Sequence, residues 1–177
     1  PVQERALDYV NKLNLVNNNP FTVSGHSKGG NLAQYVTLFA SDPVIDKCLS
    51  LDGQGFSTEA CERTEYKEAL KRNQDKMYMI SSSGDYVNVL FNSAILDKNK
   101  MYVKANPVGI NVPAYHNPNN VFEMNSKGEI LGLNQGCCIS LLSYFIQDFV
   151  AYMLETESDV SKKQTVCDSL MSMMAAI

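Results

Sequence analysis

The chain has 177 residues, 45% of them hydrophobic and 19% charged, with a formal net charge of −4. That is one domain's worth of ordinary globular sequence, long enough to bury a core. The acidic balance and the lack of a long basic run argue against a nucleic-acid partner. No apolar stretch reaches the roughly 18 residues of a membrane span.

In chain order, residues 3–15 read as a helix with Ala6, Leu7, Val10 and Leu13 on one face. Asn17-Asn18-Asn19-Pro20 ends it. Phe21 to Ser24 is a short strand. Gly29 to about Ala40 is a helix with Leu32, Val36 and Phe39 in helical register, stopped at Ser41-Asp42-Pro43. Cys48 to Leu51 is a second strand, closed by Asp52-Gly53-Gln54-Gly55. Residues 58–72 form one charged helix, and Lys76 to Ser81 a third strand ending before Gly84-Asp85. Residues 86–96 are expected to hold a short helix, and Lys100 to Lys104 a fourth strand. A hairpin pairs Val121–Met124 with Glu129–Leu131. Residues 139–155 are a strongly apolar helix, opened by the pair Cys137-Cys138, for which burial is expected. A last helix from about Ser161 to Met174 puts Cys167, Leu170, Met171 and Met174 on one face. Alternating strands and helices imply an α/β protein with a mostly parallel sheet.

The five cysteines show no C-x-x-C or His/Cys spacing. No metal and no cofactor are expected, and reduced cysteines suit a cytoplasmic protein. Residues 1–15 lack the apolar core of a signal peptide. A chain from which such a peptide had been removed would read the same way.

The chemistry centres on Gly25-His26-Ser27-Lys28-Gly29-Gly30. A glycine-framed serine between a strand and a helix is the setting of a nucleophile elbow, where small residues let helix and strand approach closely. A purely structural or phosphate-binding turn is the plainer alternative. Serine needs a base within hydrogen-bond reach, and the chain has two histidines. His26 adjoins Ser27 and points away from it, which leaves His116. Alone, His116 would read as a surface loop residue; with Ser27 present it becomes the candidate base. Asp85, just past a strand, is the candidate for orienting that imidazole. Asp52, which also ends a strand, is the alternative acid. The order Ser27, Asp85, His116 is that of α/β-hydrolases. The Lys28 N–H is the expected oxyanion donor.

These motifs resemble the class 3 (fungal-type) lipases and a bacterial branch of related proteins with no assigned substrate, from about residue 3 to the hairpin near 131. Gly25-His26-Ser27-Lys28-Gly29-Gly30-Asn31-Leu32-Ala33 resembles the G-H-S-x-G-G-x-L-A elbow, with lysine in place of the usual leucine, as in the bacterial branch. Asp52-Gly53-Gln54-Gly55-Phe56 resembles that branch's D-G-x-G-F turn. Gly84-Asp85-Tyr86-Val87 stands in the place of the lipases' G-D-x-V segment, which carries the catalytic acid. His116 before a hairpin resembles the branch's histidine. The lipases proper place theirs later, so here either His116 is the base or the site is inactive.

The resemblance implies an α/β-hydrolase-like single domain over residues 1–177, the C-terminal portion of a longer one whose first strands are missing. An upstream segment or a second copy of the chain would cover the open edge at Phe21. The second oxyanion amide usually comes from upstream, so the chain by itself is expected to be weakly active or inactive. The implied activity is a serine hydrolase acting on small-molecule carboxylic esters, lipids among them. The alternatives are a non-catalytic hydrolase-fold binding module, and an acyltransferase or thioesterase on the same triad.

Overall fold

The structure is a computed structural model that describes residues 2–13, 20–41, 45–106, 108 and 111–175. The turn at Asn17-Asn18-Asn19 and the stop at Asp42-Pro43 lie outside these residues. So do the side chains of Cys167, Leu170, Met171 and Met174.

The chain folds as an α/β protein with a mostly parallel five-stranded sheet, in the order β1-β2-β3-β4-β7, and a separate hairpin, β5-β6. The strands are β1 (Phe21–His26), β2 (Ile45–Leu51), β3 (Met77–Ser82), β4 (Lys100–Val103), β5 (Phe122–Met124), β6 (Ile130–Leu133) and β7 (Gly136–Cys137). The helices are α1 (Val2–Lys12), α2 (Lys28–Phe39), α3 (Thr58–Glu62), α4 (Thr64–Asn73), α5 (Leu141–Thr156) and α6 (Val160–Ala175). Two compact units result: residues 1–81 with 91–101, and residues 82–90 with 102–177. No helix of the described residues is long and apolar enough to cross a membrane.

In the first unit, β2 pairs in parallel with β1, from Phe21↔Ile45 to His26↔Leu51, and with β3, from Cys48↔Met77 to Leu51↔Ile80. β1 is an edge strand, with Phe21 and Thr22 exposed. Helix α2 packs on β1 and β2, and α1 and α4 pack on α2. The expected apolar stripe of α2 is only part of its buried face. Val36 is buried with Ala33 and Leu38, whereas Leu32 and Phe39 are half-exposed. Asn31, Gln34 and Thr37 go inward instead. They are tolerated because each is bonded: Asn31 to the Gly55 carbonyl at 2.8 Å, Gln34 to Ser50 Oγ at 3.2 Å, Thr37 to the Ala33 carbonyl at 2.8 Å.

The single charged helix expected over 58–72 is two helices broken at Arg63, whose backbone is extended. Ser57 caps the first by accepting from the Ala60 N–H. The break lets α4 bury Tyr66 and Ala69, while α3 buries nothing.

In the second unit, residues 83–90 are irregular, mostly turns and bends, and none of 86–96 is helical. Asp85 Oδ1 accepts from the Val87 and Asn88 amides. An aspartate that binds backbone two and three residues on competes directly with helix formation. Tyr86, Val87, Val89 and Leu90 are nonetheless buried. Residues 136–137 form strand β7, antiparallel to β4, in place of a helix start. Strand β4 gains backbone partners this way, and Cys137 and Cys138 are exposed, contrary to the expected burial. Helix α5 starts later, with Ser140 Oγ accepting from the Ser143 N–H. It turns its apolar residues outward: Ser143 and Val150 are buried, and Leu141, Phe145, Phe149 and Tyr152 are exposed.

Cys48 gives the first unit a pH dependence. Its side chain is fully buried in β2, and burial pushes the thiol from 9.0 up to about 11, against a smaller opposing hydrogen bond with Thr37. The folded chain keeps the thiol protonated where the unfolded chain ionises it. The stability it contributes is therefore complete below pH 9 and lost as pH rises toward 11. The expected loss is about 2–3 kcal/mol. Urea unfolding across that range should show it, with a shallower decline for Cys48→Ala.

Candidate active site

The turn after β1 is fixed by backbone crowding. A Cβ on Gly25 would lie 2.2 Å from the Gly29 carbonyl oxygen. A Cβ on Gly30 would lie 2.6 Å from Ser50 Oγ and 2.8 Å from the Gly53 Cα. The strand end, the first turn of α2 and the loop after β2 thus touch backbone to backbone. Gly29 differs, because nothing lies within 4 Å of its Cβ position. The glycines that the packing demands are Gly25 and Gly30, not the pair that frames the serine in the motif.

Ser27 sits at that crossing with φ 57° and ψ −123°. A serine at a helix N-cap usually has extended backbone and uses its hydroxyl to cap. Here the backbone is left-handed and the side chain makes no cap hydrogen bond. Such a conformation costs on the order of 1–3 kcal/mol and persists only where the surroundings impose it. The Ser27 N–H continues the sheet ladder to the Leu51 carbonyl at 2.9 Å, and the Ser27 carbonyl accepts from Gly30 and Asn31. The Lys28 amide lies in the first turn of α2, where no helical carbonyl is available to it and the helix dipole favours negative charge.

Asp85 and His116 come together in the second unit. Asp85 is fully buried and His116 is 2% exposed. Asp85 Oδ2 lies 2.5 Å from His116 Nδ1. A buried carboxylate needs donors, so Nδ1 carries the proton and donates, and Nε2 is left as the basic nitrogen. The other carboxylate oxygen holds the Val87 and Asn88 amides. His116 ends a 3-10 helix over Val112–His116 and faces the Tyr86 ring at 5.9 Å. Burial, followed by the Asp85 charge, pushes the Tyr86 phenol up to about 12.

Asp52, the alternative acid, is also buried. It has φ 47°, its N–H binds the Ile80 carbonyl at 3.2 Å, and its carboxylate comes within 4.8 Å of a His26 ring nitrogen. Ser27, Lys28 and Asp52 belong to the first unit, and Asp85 and His116 to the second.

Three supports have no signal in the sequence. The Ser83 carbonyl accepts from the Ser140 N–H at 2.8 Å and from Ser143 Oγ at 3.2 Å, which ties the Asp85 turn to the start of α5. The Tyr115 ring lies against Gly84, where a Cβ would meet ring carbons at 2.6 Å. Asn120 donates to the Ala114 carbonyl and clamps the loop that carries His116.

Fold and site together define an α/β protein with a strained serine turn at a helix N-terminus and a buried Asp–His pair. Residues 1–135 match the model of the Mbeg1-like family, and the chain belongs to that family. No curated protein and no solved structure matches the chain.

Two substitutions test this account. Gly25→Ala should cost about 2 kcal/mol or more through the clash with Gly29. Gly29→Ala should be neutral or stabilise by up to about 1 kcal/mol. Denaturant titration of the two variants distinguishes them. Gly84→Ala should displace the Tyr115 ring and, with it, the adjacent His116; a changed His116 Nδ1–H proton resonance is the readout.

Proposed function

We propose that the chain is a serine hydrolase of carboxylic esters, lipids among them, built on an α/β-hydrolase-like fold of the lipase type. The observation that carries the reading is the buried Asp85–His116 contact at 2.5 Å. An aspartate on Nδ1 holds the imidazole in the tautomer whose Nε2 can accept a proton, which is the role of the acid in a catalytic triad. The strained backbone of Ser27 and its hydroxyl, unused for capping, support the same reading from the first unit.

In the proposed mechanism Ser27 Oγ attacks the ester carbonyl carbon while His116 Nε2 takes the hydroxyl proton. The carbonyl oxygen becomes an oxyanion facing the Lys28 N–H. Collapse of this intermediate breaks the bond to the alcohol, which leaves with the proton from His116. Water then attacks the acyl-enzyme, giving its proton to His116; the bond from the acyl carbon to Ser27 Oγ breaks, His116 returns the proton to Oγ, and the carboxylic acid is released. Asp85 stays ionised throughout and stabilises the imidazolium. The geometry this requires is His116 Nε2 within about 3 Å of Ser27 Oγ.

A fluorophosphonate probe tests the proposal. It should label the chain at Ser27, fail on Ser27→Ala, and label His116→Ala and Asp85→Asn more slowly by roughly a hundredfold or more. Labelling that survives Ser27→Ala, or that His116→Ala and Asp85→Asn do not slow, overturns it.

A further inference from the structure

His116 meets Asp85 across 31 residues of chain, and the loop that carries it has little of its own to hold it there. Its regular parts are two 3-10 turns, Val112–His116 and Pro118–Val121. Such turns are short and weakly bonded. Of residues 112–121 only His116 and Val121 are buried, so hydrophobic burial adds little. The positioning falls to polar bonds from outside the loop.

Three half-buried asparagines supply them. The Asn106 N–H donates to the Asn120 carbonyl at 2.7 Å, and Asn106 Nδ2 donates to the Phe122 carbonyl at 3.1 Å. Asn134 lies between β6 and β7, and its N–H donates to the Val121 carbonyl at 2.8 Å. Its Nδ2 lies 2.8 Å from the Lys104 carbonyl oxygen, 3.1 Å from Asn106 Oδ1 and 3.3 Å from the Asn120 carbonyl oxygen. All three neighbours are acceptors, so the amide nitrogen, with its two protons, has to face them. Asn120 Nδ2 carries the hold on to the Ala114 carbonyl, two residues before His116.

Both members of the pair are thereby referred to one strand. Lys104 directly follows β4, and its N–H donates to the Gln135 carbonyl, beside Asn134, at 2.9 Å. On the other side, the Ser83 N–H donates to the Val103 carbonyl of β4 at 2.9 Å, two residues before Asp85. Asn134 bridges the end of β4 and the His116 loop.

We propose that Asn134 is a positioning residue for the Asp85–His116 pair, setting His116 Nδ1 against Asp85 Oδ2 through Asn120 and Ala114. It touches neither member of the pair. Its catalytic meaning rests on the serine hydrolase reading, in which a loosely held base is less often aligned for proton transfer. The positioning itself can be read without turnover.

The His116 Nδ1–H proton resonance of the 177-residue chain reports that alignment. Asn134→Ala removes the donors, and Asn134→Asp keeps the shape but sets an acceptor against three acceptors. Both should move the resonance and speed its exchange with water roughly tenfold or more, about the factor of one lost hydrogen bond. Asn120→Ala cuts the same chain of bonds one link nearer and should act likewise. The double variant Asn120→Ala/Asn134→Ala should show little more than the larger single effect, because the two residues act in series. Asn125→Ala is the control. Asn125 braces the β5–β6 turn through Glu129 and the Lys127 N–H, and its loss should leave the resonance in place. An unmoved resonance in Asn134→Ala or in Asn120→Ala, additive effects in the double variant, or an equal change in Asn125→Ala overturns the proposal. A fluorophosphonate label that survives Ser27→Ala would count against the hydrolase reading and leave the positioning of His116 standing.

Discussion

The backbone contact among Gly25, Gly30 and Gly53 is the constraint on which the first unit rests. A Cβ at any of the three would fall within 3 Å of another segment's atoms. With the side chains absent, the end of β1, the first turn of α2 and the loop after β2 meet directly. The crossing leaves Ser27 no extended backbone, so it takes φ 57°. The strain at Ser27 thus belongs to the packing of three segments rather than to the serine.

The second unit depends on a single carboxylate with two tasks. One oxygen of Asp85 organises the turn that follows it, and the other meets His116. The turn in turn buries Tyr86, Val87, Val89 and Leu90, so hydrophobic burial holds the carboxylate in place. The buried carboxylate is met by three donors, two backbone amides and the His116 imidazole, which offset part of its desolvation. The Ser83 and Tyr115 contacts fix the two loops from outside the pair. Structure and chemistry are coupled here, since the atoms that would orient the imidazole also hold the local fold together.

Helix α5 shows the limits of periodicity. Its outward face is richer in large apolar and aromatic side chains than its inward one. Phe145 and Phe149 stack on each other at 6.2 Å on that outer face. The inward face carries Ser143, which is there because its hydroxyl reaches the Ser83 carbonyl. A polar anchor, not the apolar stripe, decides which side of the helix faces the unit.

Residue order and type alone were enough to identify the strand–serine–helix stretch, the strands β2 to β4, the hairpin, and Asp85 and His116 as the residues to watch. Each is a local signal: β-branched runs, glycine-framed turns, or a residue type too scarce to be replaced, as with His116. Tertiary structure decided the rest. It put Asp85 against His116 Nδ1, because that contact depends on how two loops 31 residues apart are held. It made residues 86–90 a buried irregular loop, since Asp85 Oδ1 takes the amides of Val87 and Asn88. It showed that Gly30 and Gly53 matter to the crossing where Gly29 does not, because close approach is a property of pairs of segments. Long-range contacts set these outcomes, and no window of sequence contains both partners.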